Sequence, residues 1–135
     1  MHALVAVVAL AATFFYFWTG MGVARARGVS KIDAPTMTGH PTLERAVRVQ
    51  MNTLEWMPIF LVSLFLFDGF VAAPYGAYGA ALMGVVWIVG RILYQQGYMA
   101  DPGKRSTGFL VQAVACIVLF VGALIGALMR LAQTA

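Results

Sequence analysis

The sequence predicts an all-α membrane protein, a single domain over residues 1–135 built as a bundle of four transmembrane helices. Two observations carry this. Of its residues, 61% are hydrophobic and only 10% charged, against roughly a quarter charged in an ordinary soluble domain. This excludes a water-soluble globule, and the 14 glycines do not mark disorder in a chain this apolar. A bilayer core about 30 Å thick takes roughly 20 apolar residues per helix, and the segments 3–24, 41–67, 75–98 and 107–131 meet that demand. They use most of the chain, so any chemistry falls to these helices and their short loops.

The elements are punctuated in order. The first segment lacks a positive leading region and is longer than a signal-peptide core, so it reads as a retained helix. The second is entered at Pro41 after Gly39 and His40 and closed by Asp68 and Gly69; Pro74 precedes the third, and Asp101 with Pro102 precedes the fourth. In the fourth, Gly122 and Gly126 form a GxxxG spacing that permits close helix contact, either inside the bundle or between chains. The one cysteine, Cys116, lies within the apolar run 111–128, where it reads as a small packing residue. It allows no disulfide within the chain and no Cys/His zinc pair, so no metal is expected. His2 and His40 read as surface or capping residues, and Trp87, Phe14, Phe15 and Phe17 as lipid-facing or packing residues.

The net charge of +4 follows from orientation. Arg25, Arg27 and Lys31 follow the first span, with Arg45 and Arg48 just beyond, and Lys104 and Arg105 follow the third; residues 68–74 carry no Lys or Arg. Positive residues stay inside, so loops one and three are expected on the cytoplasmic face and both termini outside. No basic stripe alternates with aromatics on a soluble surface, which excludes nucleic acid as a partner.

The informative feature is a polar layer within the apolar spans. Counting back about 20 residues from Asp68 at 1.5 Å each places Arg48 at the inner boundary of the second span, with Asn52 and Glu55 at hydrocarbon depth. Glu44, Arg48, Asn52 and Glu55 recur on one helical face. The same count from Pro74 places Tyr94 at the inner boundary and Arg91 about one turn deeper, sharing a face with Tyr98. Arg105 enters the fourth span at the same level. Charges at that depth need a partner or a wet cavity. An ion pair of Glu55 with Arg91 or Arg48 that locks two helices satisfies the charges alone. An open cationic cleft accounts for the whole set, and it suits a small zwitterion with more negative than positive groups: arginines fork onto carboxylates and Glu55 accepts an ammonium. If that zwitterion bears a thiol, a neighbouring guanidinium favours the nucleophilic thiolate.

The run containing Glu44, Arg45, Arg48, Gln50, Asn52, Glu55 and Pro58, together with Arg91, Tyr94 and Tyr98, resembles the second- and third-helix signatures of the MAPEG family, the membrane-associated proteins in eicosanoid and glutathione metabolism. The resemblance implies a homotrimer with glutathione as co-substrate, bound between neighbouring subunits in a cleft open to the cytoplasm and to lipid. By position it implies that Arg48, Gln50 and Asn52 hold the peptide, Glu55 takes its γ-glutamyl amine, and Tyr94 and Tyr98 contact its backbone or carboxylates. Arg91 belongs to the same binding set. Arg27 corresponds to the family's first-loop arginine, which meets a terminal carboxylate, and Arg105 to the arginine that stabilises the thiolate. Two positions depart from the family: Trp56 replaces a tyrosine found beside the glutamate in some members, and residues 99–108 differ from the eicosanoid enzymes, leaving Lys104 and Arg105 as alternatives beside the sulfur. The implied activity is a glutathione transferase acting on lipophilic electrophiles from the bilayer, or a peroxidase, in a bacterial inner membrane. The rivals are a non-catalytic lipid- or glutathione-binding protein of the same fold, a proton-coupled exporter, and a purely structural protein.

Overall fold

The computed structural model describes residues 2–134. Over them run four long helices, α1 (Ala3–Ser30), α2 (Pro41–Phe70), α3 (Tyr75–Ala100) and α4 (Ser106–Thr134), with a short 3₁₀ turn, Pro102–Arg105, between the last two. All four helices are long and apolar enough to cross a membrane, so the chain is a multi-pass membrane protein.

The helix starts follow their local chemistry. His40 caps α2: its Nδ1 accepts the Thr42 backbone N–H at 3.2 Å, with Pro41 at the first helical position. Asp101 accepts the Gly103 N–H at 2.8 Å and opens the 3₁₀ turn. Arg45 closes α3 from a neighbouring helix, its Nη1 donating to the carbonyls of Met99 at 3.0 Å and Ala100 at 3.1 Å. A cation there satisfies carbonyls that the helix end leaves unpaired.

Two helix ends differ from expectation. α1 continues to Ser30, so Arg25 and Arg27 ride on its last turns and not in a loop; polar residues end an apolar run without ending a helix. α2 continues through Asp68 and Gly69 to Phe70, with Asp68 buried. The Asp68 carboxylate accepts the His2 backbone N–H at 3.0 Å and meets the His2 ring Nδ1. His2 is thus a strap from the start of α1 to the end of α2.

The core sits between the four helices. Phe60 and Trp87 stack with ring centres 4.2 Å apart, among Val5, Leu64, Ala115 and Leu119. The GxxxG spacing is used inside the chain: a Cβ at Gly122 would strike the Phe67 ring, and one at Gly126 would lie 2.7 Å from the Phe70 carbonyl oxygen. Phe15 is buried, whereas Phe14, Phe17, Leu110, Ile117 and Phe120 point outward, giving the apolar exterior that lipid or another copy would cover.

Candidate functional site

At the end of the bundle that holds Arg48 and Arg105, α2, α3 and the start of α4 diverge around a cleft of about 750 Å³ lined by Arg48, Asn52, Tyr94, Tyr98, Arg105, Ser106, Phe109 and Leu110. Its floor depends on two close helix approaches. A Cβ at Gly108 would collide with the Tyr94 backbone, and one at Gly97 with the Lys104 carbonyl. These glycines let α4 and the turn before it lie directly on α3, which sets Arg105 beside Tyr98.

Beneath the floor lies a chain of hydrogen bonds between α2 and α3. Arg91 is 0% exposed; its Nη1 donates to Asn52 Oδ1 at 2.9 Å and its Nη2 to Thr53 Oγ1 at 2.6 Å. The Thr53 hydroxyl donates in turn to the Val49 carbonyl at 2.7 Å. Asn52 Nδ2 donates to Glu55 Oε2 at 3.1 Å, and Arg48 Nη1 reaches Glu55 Oε1 at 3.4 Å. Asn52 has to point its carbonyl at Arg91 and its amide at Glu55, so its orientation is fixed from both sides. The Arg91 guanidinium also lies 4.4 Å from the centre of the Tyr94 ring, a cation–π contact that is strong where water is excluded. Tyr94 and Tyr98 face each other at 5.6 Å, and Arg105 lies 5.6 Å from the Tyr98 ring centre.

The polar residues read from the sequence therefore separate into three groups. Arg48, Asn52, Tyr94, Tyr98 and Arg105 line one cleft, with Glu55 bound to two of its walls. Arg91 does not line it: the residue is sealed in the core and holds Asn52 from behind the cleft wall. An ion pair between Arg91 and Glu55 is likewise replaced by this relay, and the carboxylate pairs with Arg48. Arg27 and Gln50 lie elsewhere. The Arg27 Nη1 donates to the carbonyls of Ile32 at 3.3 Å and Thr36 at 2.7 Å, bracing the α1–α2 loop. Gln50 is two residues from both Arg48 and Asn52, hence about 200° away around the helix, and packs against α1 at Gly20.

Sequence reading missed Thr53, Ser106, Phe109 and Leu110. Ser106 and Phe109 were visible as the residues one and four positions after Arg105 on a helix. Phe109 is held in an edge-to-face contact with Trp56, ring centres 5.5 Å apart, so the tryptophan that replaces a tyrosine supports the cleft wall. Both Phe109 and Leu110 are also exposed on the outside of the bundle, so that wall continues onto the lipid-facing surface.

Chemically, the cleft offers two guanidinium groups for carboxylates, one carboxylate for an ammonium, and hydroxyls and an amide for peptide groups. Comparison with known proteins gives the same direction. The sequence profile described as MAPEG family matches residues 4–125. The chain is 39% identical over 128 residues to an uncharacterized protein of Synechocystis sp., covering 95% of this chain and 90% of that protein. It is similar to microsomal glutathione S-transferase 2 of Homo sapiens, 33% identical over 122 residues, covering 90% of this chain and 80% of that one. It is also similar to leukotriene C4 synthase of Cavia porcellus, 34% identical over 127 residues, covering 93% and 81%.

Proposed function

The chain belongs to the MAPEG family, and from that premise we propose that it is a membrane glutathione transferase that activates glutathione as its thiolate and directs it at lipophilic electrophiles. The observation that carries this reading is the single cleft shared by Arg48, Asn52, Tyr94, Tyr98 and Arg105, with Glu55 held at its edge by Arg48 and Asn52. Glutathione has two carboxylates, one ammonium and one thiol. Glu55 takes the ammonium, Arg48 a carboxylate, and the two tyrosines and Asn52 the peptide groups.

Arg105, exposed at the rim and set over the Tyr98 ring, faces the sulfur. A thiol with an ordinary pKa near 8.5 is mostly protonated at neutral pH, and an adjacent guanidinium shifts it toward the thiolate. The proton leaves to solvent through the open side of the cleft. The thiolate sulfur then attacks the electrophilic carbon of a substrate arriving along Phe109 and Leu110 from the bilayer. A carbon–sulfur bond forms, and the displaced electron pair leaves with the leaving group or is protonated on an adjacent carbon. With a lipid hydroperoxide the same thiolate attacks oxygen; a second glutathione completes the reduction, giving an alcohol, water and glutathione disulfide.

The placement of Arg27 and Gln50 away from the cleft supports a site shared between copies. In a homotrimer, the α1 and Gln50 face of one subunit supplies the second wall of its neighbour's cleft, with Arg27 on a carboxylate and Gln50 on the peptide. The orientation that fits is loops one and three in the cytoplasm, where glutathione is abundant. A carrier of the same fold without chemistry gains nothing from a guanidinium at the sulfur end of the cleft, whereas an enzyme does.

The deciding experiment is ultraviolet detection of thiolate when glutathione is added to the purified protein in detergent. A thiolate signal at neutral pH that saturates with glutathione is the expected result. Binding without that signal makes the protein a carrier, and absence of binding removes the reading altogether.

A further inference from the structure

α3 and α4 cross so closely that a Cβ at Gly90 would lie 2.6 Å from the backbone nitrogen of Gln112. This register brings Trp87 and Arg91, one turn apart on α3, into the seam occupied by Gln112 and Cys116, one turn apart on α4. The seam is fully enclosed: Trp87, Arg91 and Gln112 are each 0% exposed. Yet among the described residues Trp87 Nε1, Arg91 Nε and both amide atoms of Gln112 have no hydrogen-bond partner.

Buried polar atoms are paired with protein or with ordered water in nearly all cases, because leaving them unpaired is costly. Four such atoms in one seam are not an isolated defect. Their chemistry is also matched: Trp87 and Arg91 each present one N–H, while Gln112 presents a carbonyl and an amide. A water molecule accepts two hydrogen bonds and donates two, and internal waters typically make about three. One water can accept the N–H of Trp87 and of Arg91 and donate to the Gln112 carbonyl, which pairs three of the four atoms.

We infer that the seam between α3 and α4 is a binding site for internal water, and that Gln112 is a positioning residue which, through that water, holds the Nε edge of Arg91. The other two nitrogens of that guanidinium already hold Asn52 and Thr53. With the third edge fixed, Arg91 cannot swing, Asn52 keeps its amide on Glu55, and the cleft meets its ligand with the carboxylate already aimed. The effect on ligand binding rests on the reading of Glu55 given above; the water site does not.

The test uses the intact oligomer in detergent, labelled with ¹⁵N, with the Trp87 indole and Arg91 Nε–H signals assigned through Trp87→Phe and Arg91→Lys. In the wild type both signals are expected to exchange magnetisation with long-lived bound water, and in Gln112→Leu both lose that exchange. Gln112→Leu is also expected to weaken glutathione binding and raise its KM about fivefold, as for one lost hydrogen bond, with kcat and the KM of the electrophile unchanged. Gln112→Asn, which keeps the amide and leaves more room for water, retains affinity within about twofold. A wild-type seam with no bound-water exchange overturns the inference, as does a folded Gln112→Leu that binds glutathione like the wild type. Should Gln112→Leu fail to fold, the wild-type spectrum and Gln112→Asn decide. If the wild type binds no glutathione at all, the proposed function fails, and the water exchange still judges the seam.

Discussion

Arg91 Nη1 and Asn52 Oδ1 meet at 2.9 Å across 39 residues of sequence, and through this bond a wholly buried cation on α3 sets the direction of an amide that faces the cleft from α2. The residue that looks from its sequence like a ligand-binding arginine lies one layer below the cleft wall.

Arg91→Lys keeps the charge but not the fork that serves Asn52 and Thr53 together. The expected cost is about 2–3 kcal/mol, as for a hydrogen bond to a buried charged group left unmade. A lowered thermal unfolding midpoint in detergent and weaker glutathione binding are expected together. Unchanged values of both would show that the fork is dispensable.

Glu55→Gln leaves the Asn52 amide an oxygen to bond but removes the negative charge offered to an ammonium. Because Glu55 is half exposed, folding should be little affected. Calorimetry should show glutathione affinity falling about tenfold or more, the worth of a charge-assisted contact, while glutathione acylated on its amine should lose little between wild type and variant.

Arg105→Ala should bind glutathione nearly as well as the wild type and yet lose the thiolate signal at neutral pH. Without the guanidinium the thiol returns toward about 8.5. The thiolate is the deprotonated form, so activity falls at pH 7 and recovers as the pH rises, displacing the rate profile to the alkaline side by about one unit. An unmoved profile would transfer the role to Lys104, for which Lys104→Ala is the matching measurement.

Gly108→Ala puts a methyl group into the Tyr94 backbone. α3 and α4 must separate, at about 1–3 kcal/mol for overpacking, and Tyr98 and Arg105 move apart with them. The unfolding midpoint and the KM for glutathione should both worsen, whereas alanine at Gly28, where a Cβ would meet no neighbour within 4 Å, should worsen neither, since alanine favours a helix over glycine.

Subunit sharing predicts complementation. Arg27→Ala and Glu55→Gln chains are each expected to be weakly active alone. Co-expressed and purified as mixed oligomers, they contain some clefts with an intact Glu55 facing an intact Arg27 from the neighbour. Activity well above either parent is the expected outcome; activity equal to their average would mean that each site is built from one chain.

The polar layer was legible because helical periodicity and rise are strong constraints within a bilayer. Arg48, Asn52 and Glu55 were placed on one face, and Arg91 at their depth, by counting alone. That Arg91 is enclosed was not legible, since it depends on how closely α4 approaches, and that approach is set by Gly90 and Gly108 meeting specific backbone atoms on another helix. Gln50 was the opposite case: its angle from Arg48 follows from two residues of helix, so its separation from the cleft was available to the same arithmetic. The extra turns of α1 were hidden because hydropathy reports the thickness of the membrane, and Arg25 and Arg27 continue the helix past it.

The contacts of Gly122 with Phe67 and of Gly126 with Phe70 have a bearing on how such chains are engineered. A small-residue seam is often altered to break up a membrane complex, but here it is already occupied by the chain's own aromatic residues. Enlarging it would push α2 and α4 apart within the one chain. That seam thus serves the folding of the single chain, and a substitution in it reports on how α2 and α4 pack.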